Sequence, residues 1–255
     1  MPPFASYPSL SGRTVFVSGG GSGIGASIVE HFSEQGAKVG FVDIDDAASK
    51  ALIEKIEARR HPVPLFVPCD VRDVAAYQRA IEGVAAKLGT ITVLVNNAAR
   101  DDRHTLAQVT PDFWDERIAV NLRHAYFAIQ TVAPAMKKAG GGSIVNFSSV
   151  SYHTMTPNLS VYQAAKAAVI GMTRGLARDL GGDGIRLNAV TPGWIMTQRQ
   201  LDLWVTPEAK AAQLGAQCLK EMLYPPDIAR MVLWLAADDS RMVTAQNFVV
   251  DGGRM

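Results

Sequence analysis

The sequence predicts an α/β fold: one doubly wound domain, a seven-stranded parallel sheet with helices on both faces. Three observations predict it. Short runs rich in β-branched residues alternate with longer helical stretches from residue 13 to the end. The runs are apolar along their whole length, which marks strands buried on both faces. No linker, repeat or low-complexity segment interrupts them, so 1–255 reads as a single domain with 1–11 as an N-terminal extension.

RTVFVSG (13–19) is the first strand, and the helix 23–36 behind it closes at Gly36. AKVGFVDI (37–44) is the second strand, before a helix over 46–60. VPLFVPCDV (63–71) is the third, before a helix over 73–88, and ITVLVNN (91–97) is the fourth. A long helix follows, with Pro111 suited to its first turn, and runs to Lys138. GSIVNFSS (142–149) is the fifth strand, a helix covers 160–180, and GIRLNAV (184–190) is the sixth. Helices over 206–217 and 226–236 precede the last strand, NFVVDGG (247–253). In such sheets ligands bind beyond the carboxyl ends of the strands.

Of the residues, 48% are hydrophobic and 19% charged, enough apolar surface for a sizeable core. The formal net charge is +1 with no basic run, which argues against nucleic acid and anionic membranes as partners. Cys69 and Cys218 match no metal-ligand spacing, so no metal is expected and both read as reduced thiols. The start, MPPFASYPSL, lacks the features of a secretory signal, and no stretch approaches the length of a membrane span. A cytoplasmic protein is expected.

The first strand runs into SGGGSGIG, where Gly19, Gly23 and Gly25 lie between a strand and a helix. Glycines there let the backbone approach a pyrophosphate, and the helix N-terminus offers it free N–H groups. Asp43 ends the second strand about 20 residues on, placed to bond the ribose hydroxyls of a dinucleotide. No Arg or Lys flanks it, since Ile44, Asp45 and Asp46 follow, so NAD is favoured over NADP; the alternative is that Asp43 merely caps the next helix. Asp70, ending the third strand, is an adenine contact or a helix cap.

The second chemical cluster is VYQAAKAAVI. Tyr162 and Lys166 stand at i, i+4 and share a helix face, beside an apolar stripe of Val161, Ala165, Ala168, Met172 and Leu176. A free tyrosine, with a pKa of ~10, is a poor base at neutral pH. Bringing it to about 7 takes roughly 4 kcal/mol, within reach of a lysine ammonium plus a positive nicotinamide. Ser149 ends the fifth strand and faces the same crevice. Asn121, inside the long helix, is either a tolerated polar residue or a holder of a water or a lysine.

These pieces, with VDID, CDV, NNAA, VNL, NFSS and TPGWIMT, resemble the short-chain dehydrogenase/reductase family from Gly12 to the end of the chain. The resemblance implies a Rossmann-type sheet, NAD(P) binding and a tetrad of Asn121, Ser149, Tyr162 and Lys166. It also implies cofactor contacts by Gly19, Ser22, Gly23, Ile24, Gly25, Asp43, Asp70, Val71, Asn97 and Ala98, and by Tyr162 and Lys166. Pro192, Gly193, Ile195 and Thr197 would hold the nicotinamide carboxamide. Ser18 replaces the usual Thr of the family, and Ala99 the usual Gly. The family also suggests a homotetramer. The stripe Ile118, Leu122, Ala125, Ile129 and Val132 could serve it, or could simply pack on the sheet.

AARDDRH (98–104), WDERIAVNLRH, TPGWIMTQRQ and AQCLKE are more closely similar to bacterial NAD-dependent sugar 1-dehydrogenases. That similarity implies oxidation of an aldose at C1 to an aldonolactone. Asp101, Arg103 and His104 are then candidates for the rim of a polar pocket, or for a network that braces it. His153 and Asn158 are better placed to touch substrate. Trp194 either covers an apolar sugar face or packs on 197–217, the expected substrate lid. His31 and His124 read as surface or interface residues. The rivals are a ketone, steroid or acyl reductase on the same scaffold, and an NAD-binding regulator without turnover.

Overall fold

A computed structural model describes residues 4–255; of the 1–11 extension, the first three residues lie outside the described residues. The seven strands are β1 (Thr14–Ser18), β2 (Lys38–Asp43), β3 (Leu65–Pro68), β4 (Ile91–Asn96), β5 (Gly142–Phe147), β6 (Ile185–Pro192) and β7 (Asn247–Val250). All pair in parallel, in the order β3-β2-β1-β4-β5-β6-β7. The chain order reverses between β1 and β4, so a crevice opens at their carboxyl ends.

The helices are α1 (Gly23–Glu34), α2 (Asp46–Ala58), α3 (Val74–Leu88), α4 (Pro111–Ile118), α5 (His124–Lys138), α6 (Ser160–Leu180), α7 (Gln198–Leu203), α8 (Pro207–Ala216) and α9 (Pro225–Ala236). Successive strand side chains point to opposite faces and build two cores. Val15 and Val17 of β1 join Ile28 and Phe32 of α1, Ile56 of α2 and Val232 of α9 on one face. Phe16 joins Tyr77 of α3, Ile129 of α5 and Ala177 of α6 on the other. Leu10 is fully buried and Tyr7 N–H donates to Gln35, so these residues of the extension are part of the packed structure.

Three expectations change. The long helix runs from Pro111 to Lys138 but is not regular: a π turn at Ala119–Arg123, containing Asn121, lies between α4 and α5. The last strand stops at Val250, because Asp251 folds back to accept from the N–H groups of Gly253 and Met255. A helix, α7, occupies 198–203 inside the expected lid, where no element was read. Thr197 and Gln200 carry the signal for it: the Thr197 hydroxyl accepts from Gln200 N–H at 3.3 Å, as in an N-terminal Thr-x-x-Gln pattern.

Of the stripe, Ala125, Ile129 and Val132 are buried, Ile129 and Val132 in the core of this face of the sheet, while Ile118 and Leu122 are half-buried. On α6 the buried face is Val161, Ala165, Lys166, Val169 and Thr173, while Ala168 is exposed. Lys166 therefore lies on the buried face itself, not beside it. Among the described residues, no helix is long and apolar enough to cross a membrane, and no cluster of His, Cys, Asp or Glu is suited to a metal.

Candidate active site

The glycine loop leaves β1 and enters α1. Ser22 precedes α1 and makes no side-chain cap bond, whereas Asp45, Asp73, Thr110, Thr197 and Thr206 each cap the helix that follows them. The first-turn N–H groups of α1 thus stay open to an anion. Gly19 takes φ +65°, and a Cβ there would lie 2.9 Å from the Ala98 Cα; a Cβ on Gly25 would overlap the Gly19 carbonyl. Asn97 closes the loop from the end of β4, its side-chain amide donating to the carbonyls of Ser18 and Gly19 at 3.1 and 2.9 Å. The Ser18 hydroxyl accepts from the N–H groups of Asn97 and Ala98, so the serine retained in place of threonine is in use.

Asp43 does not cap α2; Asp45 does, accepting from Ala48 N–H. The Asp43 carboxylate accepts from Gly21 N–H at 2.8 Å and Asp45 N–H at 3.0 Å, which fixes it beside the loop. Asp70 is held by the Arg72 guanidinium, which also keeps its carboxyl below the usual range. The cap of α3 falls to Asp73, and Val71 is buried in the core.

Beyond the strand ends lies a cavity of about 580 Å³. Ser149, Tyr162 and Lys166 line it, with Ile24, Asn97, Pro192, Gly193, Trp194, Ile195 and Thr197. Ser149 leaves β5 and its hydroxyl accepts from Ser151 N–H at 3.2 Å. Lys166 is 2% exposed, its ammonium donating to the Phe147 carbonyl at 2.9 Å and standing 5.7 Å from the Tyr162 ring centre. Burial lowers the Lys166 pKa to about 7. Burial also pushes the Tyr162 phenol up, the Asp101 charge adds to the rise, and the Ser149 hydroxyl and Arg103 oppose it. A phenolate at Tyr162 therefore needs further positive charge in the cavity.

Asn121 is placed differently from the expectation. It is 1% exposed and absent from the cavity wall. Its carbonyl accepts from Arg100 N–H at 2.9 Å, and its amide donates to the carbonyls of Arg100 and Arg117. Asn121 thereby clamps the root of the 98–104 segment. His124, expected on the surface or at an interface, is 2% exposed within the chain itself and donates from Nε2 to the Ala98 carbonyl at 3.1 Å. Burial and the nearby Lys166 charge hold its pKa at about 3.

The 98–104 segment divides its side chains between cavity and scaffold. Asp101 and Arg103 line the cavity. Asp101 accepts from the Gln200 amide at 2.9 Å, and Gln200 accepts from the Trp194 indole at 2.8 Å, so Trp194 both lines the cavity and packs on α7. Arg103 stacks over Trp204, 5.0 Å from the ring centre. His104 is buried and caps the helix that carries Tyr162. Its Nδ1 faces the Asp102 carbonyl at 3.0 Å and so holds the proton, leaving Nε2 to accept from Val161 N–H at 3.3 Å.

Charges link this segment to its surroundings in an unbroken line. Asp70 pairs with Arg72, Arg72 with Glu116, and Glu116 with the buried Arg117. Arg117 pairs with Asp102, which also meets Arg199 at 3.0 Å, and Arg199 faces Asp101 at 3.5 Å.

His153 and Asn158 do not line the cavity; both are exposed. A 3-10 turn at Val150–Tyr152 and positive φ at Met155 and Asn158 turn them outward, and His153 stacks on Tyr152. The wall is completed by residues the sequence did not single out, including Thr154, Gln200, Trp204, Gln213 and Arg254.

The open helix terminus, the glycine cradle closed to any Cβ, the Asp43 carboxylate and the cavity beside Tyr162 fit a nicotinamide dinucleotide. They define a nicotinamide-dependent oxidoreductase acting on a hydroxyl-bearing carbon. Residues 19–254 match a family model described as enoyl-(acyl carrier protein) reductase. The chain is 50% identical over 251 residues to a probable galactose dehydrogenase of Rhizobium meliloti, with 98% of each chain covered. It is 48% identical over 249 residues to the D-xylose 1-dehydrogenase of Caulobacter vibrioides, again covering 98% of each. A solved 3-oxoacyl-[acyl-carrier protein] reductase with bound NAD from Brucella melitensis superposes with a TM-score of 0.89 at 31% identity, covering all of this chain and 98% of that one. The chain belongs to the short-chain dehydrogenase/reductase family.

Proposed function

We propose that the protein oxidises the C1 hydroxyl of a pentose or hexose aldose to the aldonolactone, with NAD as the hydride acceptor. The observation that carries this reading is the polar wall of Asp101, Arg103 and Gln200 in the cavity that holds Ser149 and Tyr162. A sugar loses many water contacts on binding and needs donors and acceptors in their place. The identity to the galactose and D-xylose dehydrogenases supports the same chemistry. The Asp43 carboxylate, with no basic residue beside it, supports NAD: it repels a 2′-phosphate and accepts from ribose hydroxyls.

In this reading Ser149 hydrogen-bonds the reacting hydroxyl and Tyr162, as phenolate, takes its proton. The nicotinamide, when bound, accepts the C1 hydride. Lys166 holds the ribose hydroxyls and supplies positive charge next to Tyr162. Asn121 acts through the backbone it clamps at Arg100, and 197–217 serves as the lid. A groove between α5 and α6, lined by Tyr126, Pro134 and Leu176, supports packing of further copies into a homotetramer. The free cysteines Cys69 and Cys218 suit a reducing cytoplasm.

The test is NADH formation by the purified protein with NAD or NADP and a panel of aldoses beside aliphatic and steroid alcohols. Turnover of one or two aldoses with NAD is expected. Activity confined to the apolar alcohols overturns the reading.

A further inference from the structure

We propose that Asp101 and Arg199 couple the latching of α7 over the cavity to the readiness of Tyr162 to take a proton. The proposal rests on Tyr162 as the proton acceptor and on 197–217 as the lid, not on the substrate being a sugar.

Asp101 and Tyr162 line the same cavity. The Asp101 carboxylate opposes a phenolate there. Both of its oxygens are held by α7: one accepts from the Gln200 amide at 2.9 Å, and the other faces Arg199 Nε at 3.5 Å. An opposite charge so close turns a bare negative charge into an ion pair, whose field falls off faster with distance. Opening of the proposed lid would carry the guanidinium away with α7 and leave the full Asp101 charge facing Tyr162. The latch is stiff on its fixed side. Asp102 holds the far end of the Arg199 guanidinium at 3.0 Å, and Arg117, with a side chain only 4% exposed, pins Asp102.

The other charged groups are Arg103 on the same segment, which acts on Tyr162, Lys166 on its own helix, 5.7 Å from the ring centre, and Arg254 elsewhere on the cavity wall. None of them sits on α7. Arg199 is the cation that α7 brings to Asp101, so lid position is read at the base through this one pair. Arg199 is a positioning residue: it does not line the cavity.

The experiment is the pH profile of kcat/KM with saturating NAD, on whichever aldose or simple secondary alcohol is turned over. It compares the parent with Arg199→Gln, Arg199→Lys, Asp101→Asn and the double variant Asp101→Asn/Arg199→Gln. The acidic limb is expected to move up by about one pH unit in Arg199→Gln. It stays in place in Arg199→Lys, moves down in Asp101→Asn, and is not moved again when Arg199→Gln is added to Asp101→Asn. A higher KM in Arg199→Gln with an unmoved limb makes the pair a purely mechanical latch and overturns the proposal. If the Asp101 variants do not fold, the two Arg199 variants decide, and identical limbs overturn it. Silence on aldoses with turnover of the secondary alcohol sinks the sugar reading alone. Turnover that survives Tyr162→Phe removes Tyr162 as the proton acceptor, and the coupling with it.

Discussion

The glycine loop and the 98–104 segment leave neighbouring strands, β1 and β4, at the same edge of the crevice, yet they are held by opposite means. The loop is held by backbone and small groups: Asn97 and Ser18 bond its root, and a Cβ at Gly25 would overlap the Gly19 carbonyl. The segment is held by long side chains that reach α4, α6 and α7. A backbone-held region tolerates no added volume and serves a ligand part that does not vary. A region held by side chains can be re-aimed by substitution, which in the proposed reading suits it to the part of the ligand that differs between enzymes of one scaffold.

The sharpest way to cut between the two regions is to remove the group both serve. Tyr162→Phe is expected to lower kcat by on the order of 1000-fold while cofactor binding, read by fluorescence titration, stays within a few-fold. Retained turnover would leave both regions without a common purpose.

A pH series tests the root of the segment. His124 is held at about 3 by burial and the Lys166 charge, while in the unfolded chain it titrates at its ordinary 6.5. Between those values the unfolded chain takes up a proton that the folded chain refuses, so stability falls as pH falls through this window. Denaturant unfolding at pH 6.5 and 4.5 is expected to show about 2–3 kcal/mol more loss in the parent than in His124→Gln. Equal losses would mean that His124 is not buried neutral.

On the backbone-held side, Gly25→Ala is expected to cost about 1–3 kcal/mol of stability through overpacking and to weaken cofactor binding at least about tenfold. Unchanged binding would show that the loop can yield. The smallest effect belongs to the cap of α6: His104→Ala is expected to cost about 1 kcal/mol and His104→Asn less, measured by thermal unfolding. An unaffected His104→Ala would remove this brace from the comparison.

The two regions also differ in how far they can be read from the sequence. SGGGSGIG is contiguous, and its spacing between an apolar run and a helix states its geometry. The same holds for Tyr162, Lys166 and Ser149, whose strand and helix were legible from periodicity. The 98–104 segment announces polarity but not direction. Its partners Arg117, Val161, Arg199 and Gln200 come from other elements, and no local pattern says which side chain faces the cavity. Asn121 was legible as a tolerated polar residue or a holder of a water or lysine, but its clamp on Arg100 sits in a π turn that periodicity does not reveal. His153 and Asn158 were misplaced because two left-handed residues, at Met155 and Asn158, turn the loop outward.

The line of alternating charges from Asp70 to Asp101 bears on any attempt to change what the protein accepts by exchanging parts. Lid segments are natural units to transplant between related enzymes. Here α7, in the proposed lid, contributes one member, Arg199, to a chain whose other members lie on the 98–104 segment, on α4 and after β3. A grafted lid without a cation at that place would strand Asp101 and Asp102 with one partner fewer. The unit that can be moved intact is therefore α7 together with 98–104, the α4 face that carries Glu116 and Arg117, and Asp70 with Arg72 after β3.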